Sequence, residues 1–237
     1  SQPRTSYSGI FVSNLDGGKF QKIIDRPYMT SLKWSPDGTK LLFLSIVVLG
    51  SREGFGSVLY SVNADGSNLR QLTSSYTDSP SWVSDGSILF SGRLGNGFDI
   101  YTMSAEGRIL ARLTFGDFEL NGNRPMALSP DGAHILLYRN DVNTIGFWVM
   151  KSDGTNARSI ISNCSCYAAW SPDGQMLAYI AQTGLYVMRL SDSKPFRLTD
   201  ESFDDLNYDL AWSPNGKRIV FSSRKTDASD LYAINID

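Results

Sequence analysis

Four aspartates recur in similar short turns, and carboxylates are the side chains that most often supply acid–base catalysis or calcium ligands. They are Asp37, Asp85, Asp131 and Asp173. A calcium ion needs six to eight oxygen ligands converging on one point, whereas 42 to 48 residues separate successive members of this set. An aspartate in a turn can also accept hydrogen bonds from its own backbone. The spacing therefore predicts that each aspartate closes its own turn and that the set forms no shared metal site.

The single histidine, His134, limits the catalytic chemistry that the chain can support. A catalytic triad needs a histidine beside a serine or cysteine nucleophile and an orienting carboxylate. No G-x-S-x-G nucleophile motif is present, and the segment Ser91-Gly-Arg-Leu-Gly95 does not fit one. One histidine also excludes metal sites built from several histidines. The sequence therefore predicts a protein that is not an enzyme.

Two further features give only weak evidence for a functional site. They are the glycines between Gly92 and Gly97 and the pair Cys164 and Cys166. Glycine loops that bind phosphate open a helix, but these glycines fall between two predicted strands. Two cysteines do not complete a structural zinc site. They are either unreactive thiols, free or bonded to each other, or a redox or metal site. We predict no metal and no other cofactor.

Composition bounds the class of protein. The chain has 237 residues, of which 41% are hydrophobic, and this is enough for a buried core. Lys plus Arg total 22 and Asp plus Glu total 24, so the net charge is −2, which argues against a nucleic-acid or anionic-membrane surface. The longest apolar run, 41–49, is broken by Ser45 and is too short to span a membrane. No secretory signal is recognisable at Ser1, but mature proteins have lost theirs, so composition leaves the compartment open.

One short motif recurs five times and organises the chain. Its copies are Trp34-Ser-Pro-Asp-Gly38, Trp82-Val-Ser-Asp-Gly86, Leu128-Ser-Pro-Asp-Gly132, Trp170-Ser-Pro-Asp-Gly174 and Trp212-Ser-Pro-Asn-Gly216. An apolar run follows each copy. A second block places a tight turn, most often Asp-Gly, between two more apolar runs. Its copies are 10–24, 59–73, 100–114, 147–161, 185–199 and the shortened 231–237. Both patterns predict strands around tight turns, and together they make a four-stranded antiparallel unit of the size of a propeller blade.

The motif W-S-P-D-G before an apolar strand, followed by L-Y-x-x-N-x-D-G and an R-x-L-T ending, resembles the repeat of the TolB β-propeller family over residues 9–237. The fold predicted is an all-β propeller of four-stranded antiparallel blades. The tryptophans expected to pack between blades are Trp34, Trp82, Trp170 and Trp212. The predicted repeat units are 9–25, 26–73, 74–114, 115–161, 162–199 and 200–237.

The strand count bears on how the propeller closes. We count five first, five second, six third and five fourth strands, 21 in all, which is fewer than six complete blades need. The sequence therefore favours one domain, 1–237, of five blades that is closed by joining its incomplete first and last units. The alternative is part of a six-bladed TolB-type propeller.

The loops at the end of the blades opposite these turns do not repeat, and variable loops on a regular scaffold are where binding sites usually lie. They are rich in aromatic residues and arginine, which dominate interface hot spots. The candidate partner-binding residues are Tyr28, Arg52, Phe55, Tyr76, Asp78, Arg93, Phe118, Arg124, Tyr167, Phe203, Asp204, Asp205, Tyr208 and Asp209. The longest loop, Ile46–Ser57, is predicted to be an arm bounded by glycines. The acidic loop Asp200–Asp209 predicts a partner with a basic or hydroxyl-rich surface.

These observations favour a non-enzymatic binding or scaffold propeller that engages a protein or peptide through its loop face. The resemblance to the TolB family implies an extracytoplasmic place of action, in the bacterial periplasm or after secretion. Two alternatives stay open: a carbohydrate-binding, lectin-like propeller, or a propeller domain separated from a hydrolase or peptidase. Neither a nucleic-acid partner nor membrane insertion is expected, and the sequence does not indicate an oligomeric state.

Overall fold

The computed structural model describes residues 9–18, 20–50, 54–94, 98–114, 125–140, 145–162, 167–181, 183–192, 194–199, 210–223 and 230–236. Strands and turns account for the regular structure in these ranges. None of the described segments is a helix long and apolar enough to cross a membrane. The chain divides into two compact units, Ser1–Phe118 and Glu119–Asp237.

The first unit consists of three antiparallel sheets. The first sheet has two strands, β1 (Ile10–Ser13) and β2 (Phe20–Ile24). The second sheet has the order β3 (Met29–Trp34), β4 (Lys40–Gly50), β5 (Gly54–Asn63) and β6 (Arg70–Gln71). The third sheet has the order β7 (Thr77–Trp82), β8 (Ile88–Gly92), β9 (Asp99–Met103) and β10 (Ile109–Arg112).

The second unit also consists of three antiparallel sheets. The first has the order β11 (Pro125–Leu128), β12 (His134–Asn140), β13 (Ile145–Lys151) and β14 (Arg158–Ser162). The next has the order β15 (Tyr167–Trp170), β16 (Met176–Ala181), β17 (Gly184–Arg189) and β18 (Pro195–Arg197). The last has three strands, β19 (Leu210–Trp212), β20 (Arg218–Ser223) and β21 (Asp230–Asn235).

These sheets confirm the predicted all-β fold with four-stranded antiparallel blades. The described residues form 21 strands, as counted from the sequence, and the incomplete sheets are the first and the last. One boundary prediction is wrong. In the predicted loop Ile46–Ser57, residues 46–50 and 54–57 are strand, because β4 continues to Gly50 and β5 already starts at Gly54. The closing of the chain into one five-bladed domain stays a prediction.

The W-S-P-D-G turns are closed by their own serine and aspartate. Ser35 Oγ donates to Asp37 Oδ1 over 2.6 Å, and the same carboxylate accepts the Thr39 N–H over 3.0 Å. The Lys40 N–H donates to Ser35 Oγ over 2.9 Å. Equivalent side-chain bonds join Ser129 to Asp131, Ser171 to Asp173 and Ser213 to Asn215. These bonds confirm that the repeated aspartates stabilise their own turns.

Both turns of a blade lie at the same end of its sheet. The Ala64 N–H, from the β5–β6 turn, donates to the Thr39 carbonyl of the β3–β4 turn over 2.9 Å. The equivalent bonds run from Ser152 to Ala133 and from Leu190 to Gln175. We call this end of each sheet the turn end and the opposite end the loop end.

Strand β4 is buried on both faces where it crosses the core. Leu41 and Phe43 pack in a cluster that includes residues of the β1–β2 hairpin. Leu42 and Leu44 point the other way and pack in a cluster shared with the β7–β10 sheet. A strand that is covered on both sides needs a continuous apolar run instead of strict alternation, and this explains the sequence of β4.

Candidate functional site

The β4–β5 hairpin is longer than the corresponding hairpins of the other blades. Strand β4 has 11 residues and β5 has 10, whereas the second and third strands elsewhere have 5 to 7. The extra length lies at the loop end, where residues 46–50 and 54–57 extend past the core. We call these residues the arm.

One face of the arm exposes apolar side chains that continue a buried stripe. Alternate residues of a strand face the same side. On this side of β4, Leu42 and Leu44 are 0% and 3% exposed, whereas Ile46 and Val48 are 48% and 69% exposed. Phe55 lies directly opposite Val48 on β5 and is 78% exposed. The stripe that packs against the neighbouring sheet therefore continues as an uncovered apolar surface.

The opposite face of the arm is packed. Val47 lies opposite Gly56, and both Val47 and Leu49 pack against the core cluster that contains Leu41. A Cβ atom at Gly56 would lie 2.3 Å from Leu49 Cδ1 and 3.2 Å from Tyr76 Cδ2. Glycine allows this close approach because it has no side chain. Gly56 thus serves a closely packed hairpin.

Contacts with the β7–β10 sheet hold the base of the arm. Ser57 Oγ donates to the Thr77 carbonyl over 2.9 Å. Beside this bond, the rings of Tyr76 and Phe98 meet edge to face with centroids 5.2 Å apart, a favourable arrangement for aromatic pairs. The Arg93 N–H donates to the Tyr76 carbonyl over 2.9 Å, which fixes the segment before β7.

Tyr28 lies beside the arm in an unusual backbone conformation. Its carbonyl accepts the Ile46 N–H over 3.2 Å, its φ is 56°, and its side chain is 74% exposed. A positive φ in a residue other than glycine persists only where the surrounding structure imposes it. The guanidinium of Arg26 lies 4.6 Å from the centroid of the buried Tyr60 ring, and this contact anchors the chain just before Tyr28.

Asp78 and Arg93 were also predicted to bind a partner, and the structure places both at the loop end of the first unit. Asp78 Oδ1 accepts the Ser79 N–H over 2.7 Å where β7 departs from regular pairing, and Ser79 has a φ of 48°. The Asp78 carboxylate therefore supports a bulge in β7. Arg93 contributes its main chain to the site, and its side chain is exposed.

A buried ion pair was missed by sequence reasoning. Asp99 is 1% exposed, and its Oδ2 accepts a hydrogen bond from Arg112 Nη2 over 2.6 Å. Thr114 Oγ1 donates to Asp99 Oδ1 over 2.9 Å. Burial, reinforced by the nearby Asp99 charge, raises the pKa of Tyr101. The one signal available in the sequence was Asp99 itself, an acidic residue at the position where the preceding blade has Val58.

The turn aspartates are bonded within their own turns, and His134 lies beside Trp170. Hydrogen bonds from Ser35 and Thr39 lower the pKa of Asp37 to about 2, so this carboxylate stays ionised and engaged in its turn. The His134 ring lies 6.4 Å from that of Trp170, and its Nδ1 has no hydrogen-bond partner within the described ranges. No group of three or more His, Cys, Asp or Glu residues in the described part is placed to hold a metal ion.

Repeated blades with these turns and strand orders also occur in known proteins. The chain matches the TolB beta propeller domain family over residues 4–184. The chain belongs to this family. Among solved structures, TolB from Acinetobacter baumannii superposes on 96% of this TolB-type chain and 57% of its own, with a TM-score of 0.64 and 18% identity. Oligogalacturonate lyase from Vibrio parahaemolyticus covers 97% of this chain and 72% of its own, with a TM-score of 0.73 and 14% identity. At these identities the likeness shows the fold alone.

This TolB-type propeller is also similar in sequence to curated proteins. The uncharacterized peptidase YuxL from Bacillus subtilis is 26% identical over 210 residues, which is 85% of this chain and 30% of the relative. A second relative is covered over 55% of its length. The chain therefore spans about half or less of the length of these curated relatives.

Of the other predicted site residues of this TolB-type propeller, one belongs to the second unit and the rest fall outside the described residues. Tyr167 begins β15 in the second unit, opposite Ile180, and is partly exposed. Eight predicted residues fall outside the described residues: Arg52, Phe118, Arg124, Phe203, Asp204, Asp205, Tyr208 and Asp209. Their part in binding, and the basic or hydroxyl-rich partner inferred from the acidic loop, stay predictions. The structure thus gathers Tyr28, Phe55, Tyr76, Asp78 and Arg93 at the loop end of one unit.

Proposed function

We propose that this TolB-type propeller is a non-catalytic binding protein that docks a protein partner on the loop end of its first unit. The observation that carries this proposal is the arm, on which Ile46, Val48 and Phe55 continue a buried apolar stripe into the open. Soluble proteins rarely leave large contiguous apolar surface uncovered, and such surface marks interaction sites.

The surroundings of the arm support the same function. Tyr28, Tyr76 and Phe98 place three aromatic side chains at the same end of the unit, and aromatic residues dominate the energy of protein interfaces. The bond from Ser57 to Thr77 and the bond from Ile46 to Tyr28 hold the arm before any partner arrives. A surface that is already ordered loses less entropy on binding.

The TolB family membership supports an extracytoplasmic place of action and a protein partner. The absence of a basic excess, with a net charge of −2, fits a protein partner better than a nucleic acid.

A second candidate function is that of a propeller domain working beside a peptidase domain. The observation that favours it is the similarity to the peptidase YuxL over 85% of this chain. In that case the docking partner is a hydrolase, and the propeller remains non-catalytic. The two candidates differ in the chemistry of the partner and share the requirement for a docking surface.

Site-specific photo-crosslinking tests the proposal. A photo-reactive amino acid placed at Phe55 samples the arm, and one placed at Leu15 samples a fully exposed position at the turn end. We expect a defined protein crosslink from Phe55 in extract of the source cells and none from Leu15. Tyr76→Ala should then weaken affinity for the purified partner about tenfold, measured by biolayer interferometry.

The outcomes separate the alternatives. Crosslinks from Leu15 without any from Phe55 would place the binding surface at the turn end and refute the proposal. Saturable binding to a glycan array without any crosslinked protein would support a lectin-like propeller instead. A crosslinked protein that reacts with a fluorophosphonate probe for serine hydrolases would favour the second candidate.

A further inference from the structure

Strand β4 has an open main-chain edge where it enters the arm. Its pairing with β3 ends at Met29 opposite Ser45, and one more bond follows, from the Ile46 N–H to the Tyr28 carbonyl. Beyond Ile46, β4 continues to Gly50 with β5 along one side. Within the described residues, no strand pairs with the other side of this segment.

The direction of the main-chain groups at this edge follows from the register. Residues of an antiparallel strand alternate between pointing their N–H and C=O groups toward one neighbour and toward the other. The Ile46 N–H points away from β5, toward Tyr28. Val48, two residues further on, therefore also points its N–H and C=O away from β5. These two groups are positioned to pair with one more strand that would continue the line of β3.

In the described part of the chain, the open edge lacks the features that usually prevent strand addition. Natural edge strands are protected by lysine, proline, inward charges or a covering loop. Residues 46–49 of β4 have the sequence Ile-Val-Val-Leu, with neither charge nor proline. The exposed side chains of Ile46 and Val48, together with Phe55 on the adjacent strand, form an uncharged apolar face. An unprotected edge next to an apolar face is suited to receiving a strand.

We propose that the arm binds an extended, apolar segment of the partner, which adds as a short strand to the edge of β4 at Val48. This inference rests on the proposed function and names the chemistry that the docking surface recognises. Main-chain hydrogen bonds to Val48 give affinity, and alternate side chains of the segment, apolar and uncharged, contact Ile46 and Phe55.

A short partner segment fits this edge better than a second copy of the chain. The unpaired stretch between Ile46 and Gly50 is only a few residues long. Two copies joined along so short an edge would bury less surface than a stable protein dimer needs, roughly 1,200 Å² or more. A single extended segment needs no more than this edge and the adjacent apolar face.

A peptide-binding experiment with paired variants tests the inference. The probe is a short fluorescein-labelled peptide of alternating valine and threonine, and binding is measured by fluorescence anisotropy. Val48→Pro removes the N–H that points outward, and proline is tolerated at such edge positions because the bonds to β5 do not use that group. Val48→Thr is the matched control, since it keeps the N–H and the β-branched shape.

If the main chain of Val48 binds the peptide, the two variants should differ in affinity. Val48→Pro should weaken peptide binding about tenfold, the effect of losing one hydrogen bond, and Val48→Thr should weaken it less. The same peptide with N-methyl groups along one edge should bind wild-type protein as weakly as the unmodified peptide binds the proline variant.

Three results would overturn the inference. The first is equal peptide binding by wild type and Val48→Pro, with an unchanged melting temperature. The second is a dimer of the free protein that Val48→Pro dissolves in analytical ultracentrifugation, because the edge would then belong to a second copy. The third is unaltered binding of the N-methylated peptide. In the first and third cases, a Phe55 crosslink to a partner would still support the proposed function, so the two failures are distinguishable.

Discussion

Trp170 donates its indole Nε1–H to the main-chain oxygen of Ala127 over 3.2 Å and thereby ties one blade to the blade before it. The same bond runs from Trp212 to Ala169 over 3.1 Å and from Trp82 to Lys33 over 3.2 Å. Each acceptor directly precedes the first residue of the previous copy of the W-S-P-D-G motif. The predicted packing role of these three tryptophans is confirmed, and the hydrogen bond explains why tryptophan is used.

Trp170→Phe keeps the ring and removes the donor. We expect a loss of about 1–2 kcal/mol in the free energy of unfolding, because the carbonyl of Ala127 is left without its donor. Urea denaturation measures this loss.

Trp34→Phe is the matched control. The Trp34 side chain is half-exposed, and no described residue accepts a hydrogen bond from its indole. Its replacement should change stability by less than about 0.5 kcal/mol. Equal losses for the two variants would show that ring size, and not the hydrogen bond, sets the stability.

Features set by local sequence were predictable, whereas several features set by distant contacts were not. The turn at Asp37 follows from Ser35, Asp37 and Gly38 alone, so its position and bonding could be read from the motif. Trp34 has the same local sequence as Trp170, but Trp34 is half-exposed and Trp170 is buried, and no pattern within the motif reveals this difference.

The candidate site likewise has features that the sequence predicted and features that it did not. Phe55 was predicted because its segment is unlike the other blades and rich in the residues that form interfaces. The strand character of the segment was missed, since Gly54 and Gly56 suggested a loop. The actual role of Gly56 depends on the packing of Leu49, a contact that requires the register of β4 on β5.

The turn aspartates predict how stability depends on pH. Hydrogen bonds from Ser171 and from the Gln175 N–H lower the pKa of Asp173, and those from Ser35 and Thr39 lower the pKa of Asp37 to about 2. A carboxyl whose pKa is lower in the folded state contributes stability above its unfolded pKa and loses it as pH falls through the folded pKa. For Asp37 this loss should occur between the ordinary value of 3.8 and about 2.

Replacing Asp37 and Asp173 by asparagine tests this dependence. Asn215 shows that asparagine can accept the same turn bonds without a charge. The urea midpoint of the double variant should fall less steeply than that of wild type below about pH 4. Parallel curves for the two proteins would show that these turns do not contribute to acid denaturation.

Gly174→Val tests the backbone requirement of a turn. Gly174 has a φ of +70°, and a Cβ there would lie 3.2 Å from the Asp131 carboxylate. A β-branched residue is strained in this conformation, so we expect a cost on the order of 1–3 kcal/mol, measured by thermal and urea unfolding. Asp173→Ala leaves the backbone conformation allowed and should cost less. The reverse order would show that the aspartate bonds, and not the glycine, determine the turn.

Deleting residues 1–24 should destabilise the first unit strongly. Ile10 and Ile24 are buried in the cluster that contains Leu41 and Phe43, so the deletion exposes one face of β4. The single variant Ile24→Ala should already cost about 2–5 kcal/mol, whereas Phe20→Ala, on an exposed side chain of the same strand, should have little effect. A truncated protein that melts within a degree or two of the parent would contradict a packing role for this hairpin.

The Asp99–Arg112 pair offers a test in which one blade is converted to the pattern of another. The matching residues of the preceding blade are Val58 and Gln71, which coexist without an ion pair. Arg112→Gln removes the cation and leaves the buried Asp99 carboxylate to Thr114 and its remaining contacts. Breaking a buried pair typically costs 3–5 kcal/mol, but the Arg112 side chain is 40% exposed, so we expect about 1–3 kcal/mol.

The double variant Asp99→Val with Arg112→Gln should then recover most of that loss, because it restores the apolar and amide pair found one blade earlier. A double-mutant cycle measured by urea unfolding gives the coupling between the two positions, which we expect to be about 1–2 kcal/mol. Additive effects would mean that Asp99 is stabilised by Thr114 and its other contacts without Arg112. A double variant less stable than either single variant would mean that the ion pair supports the β9–β10 pairing and does more than neutralise a buried charge.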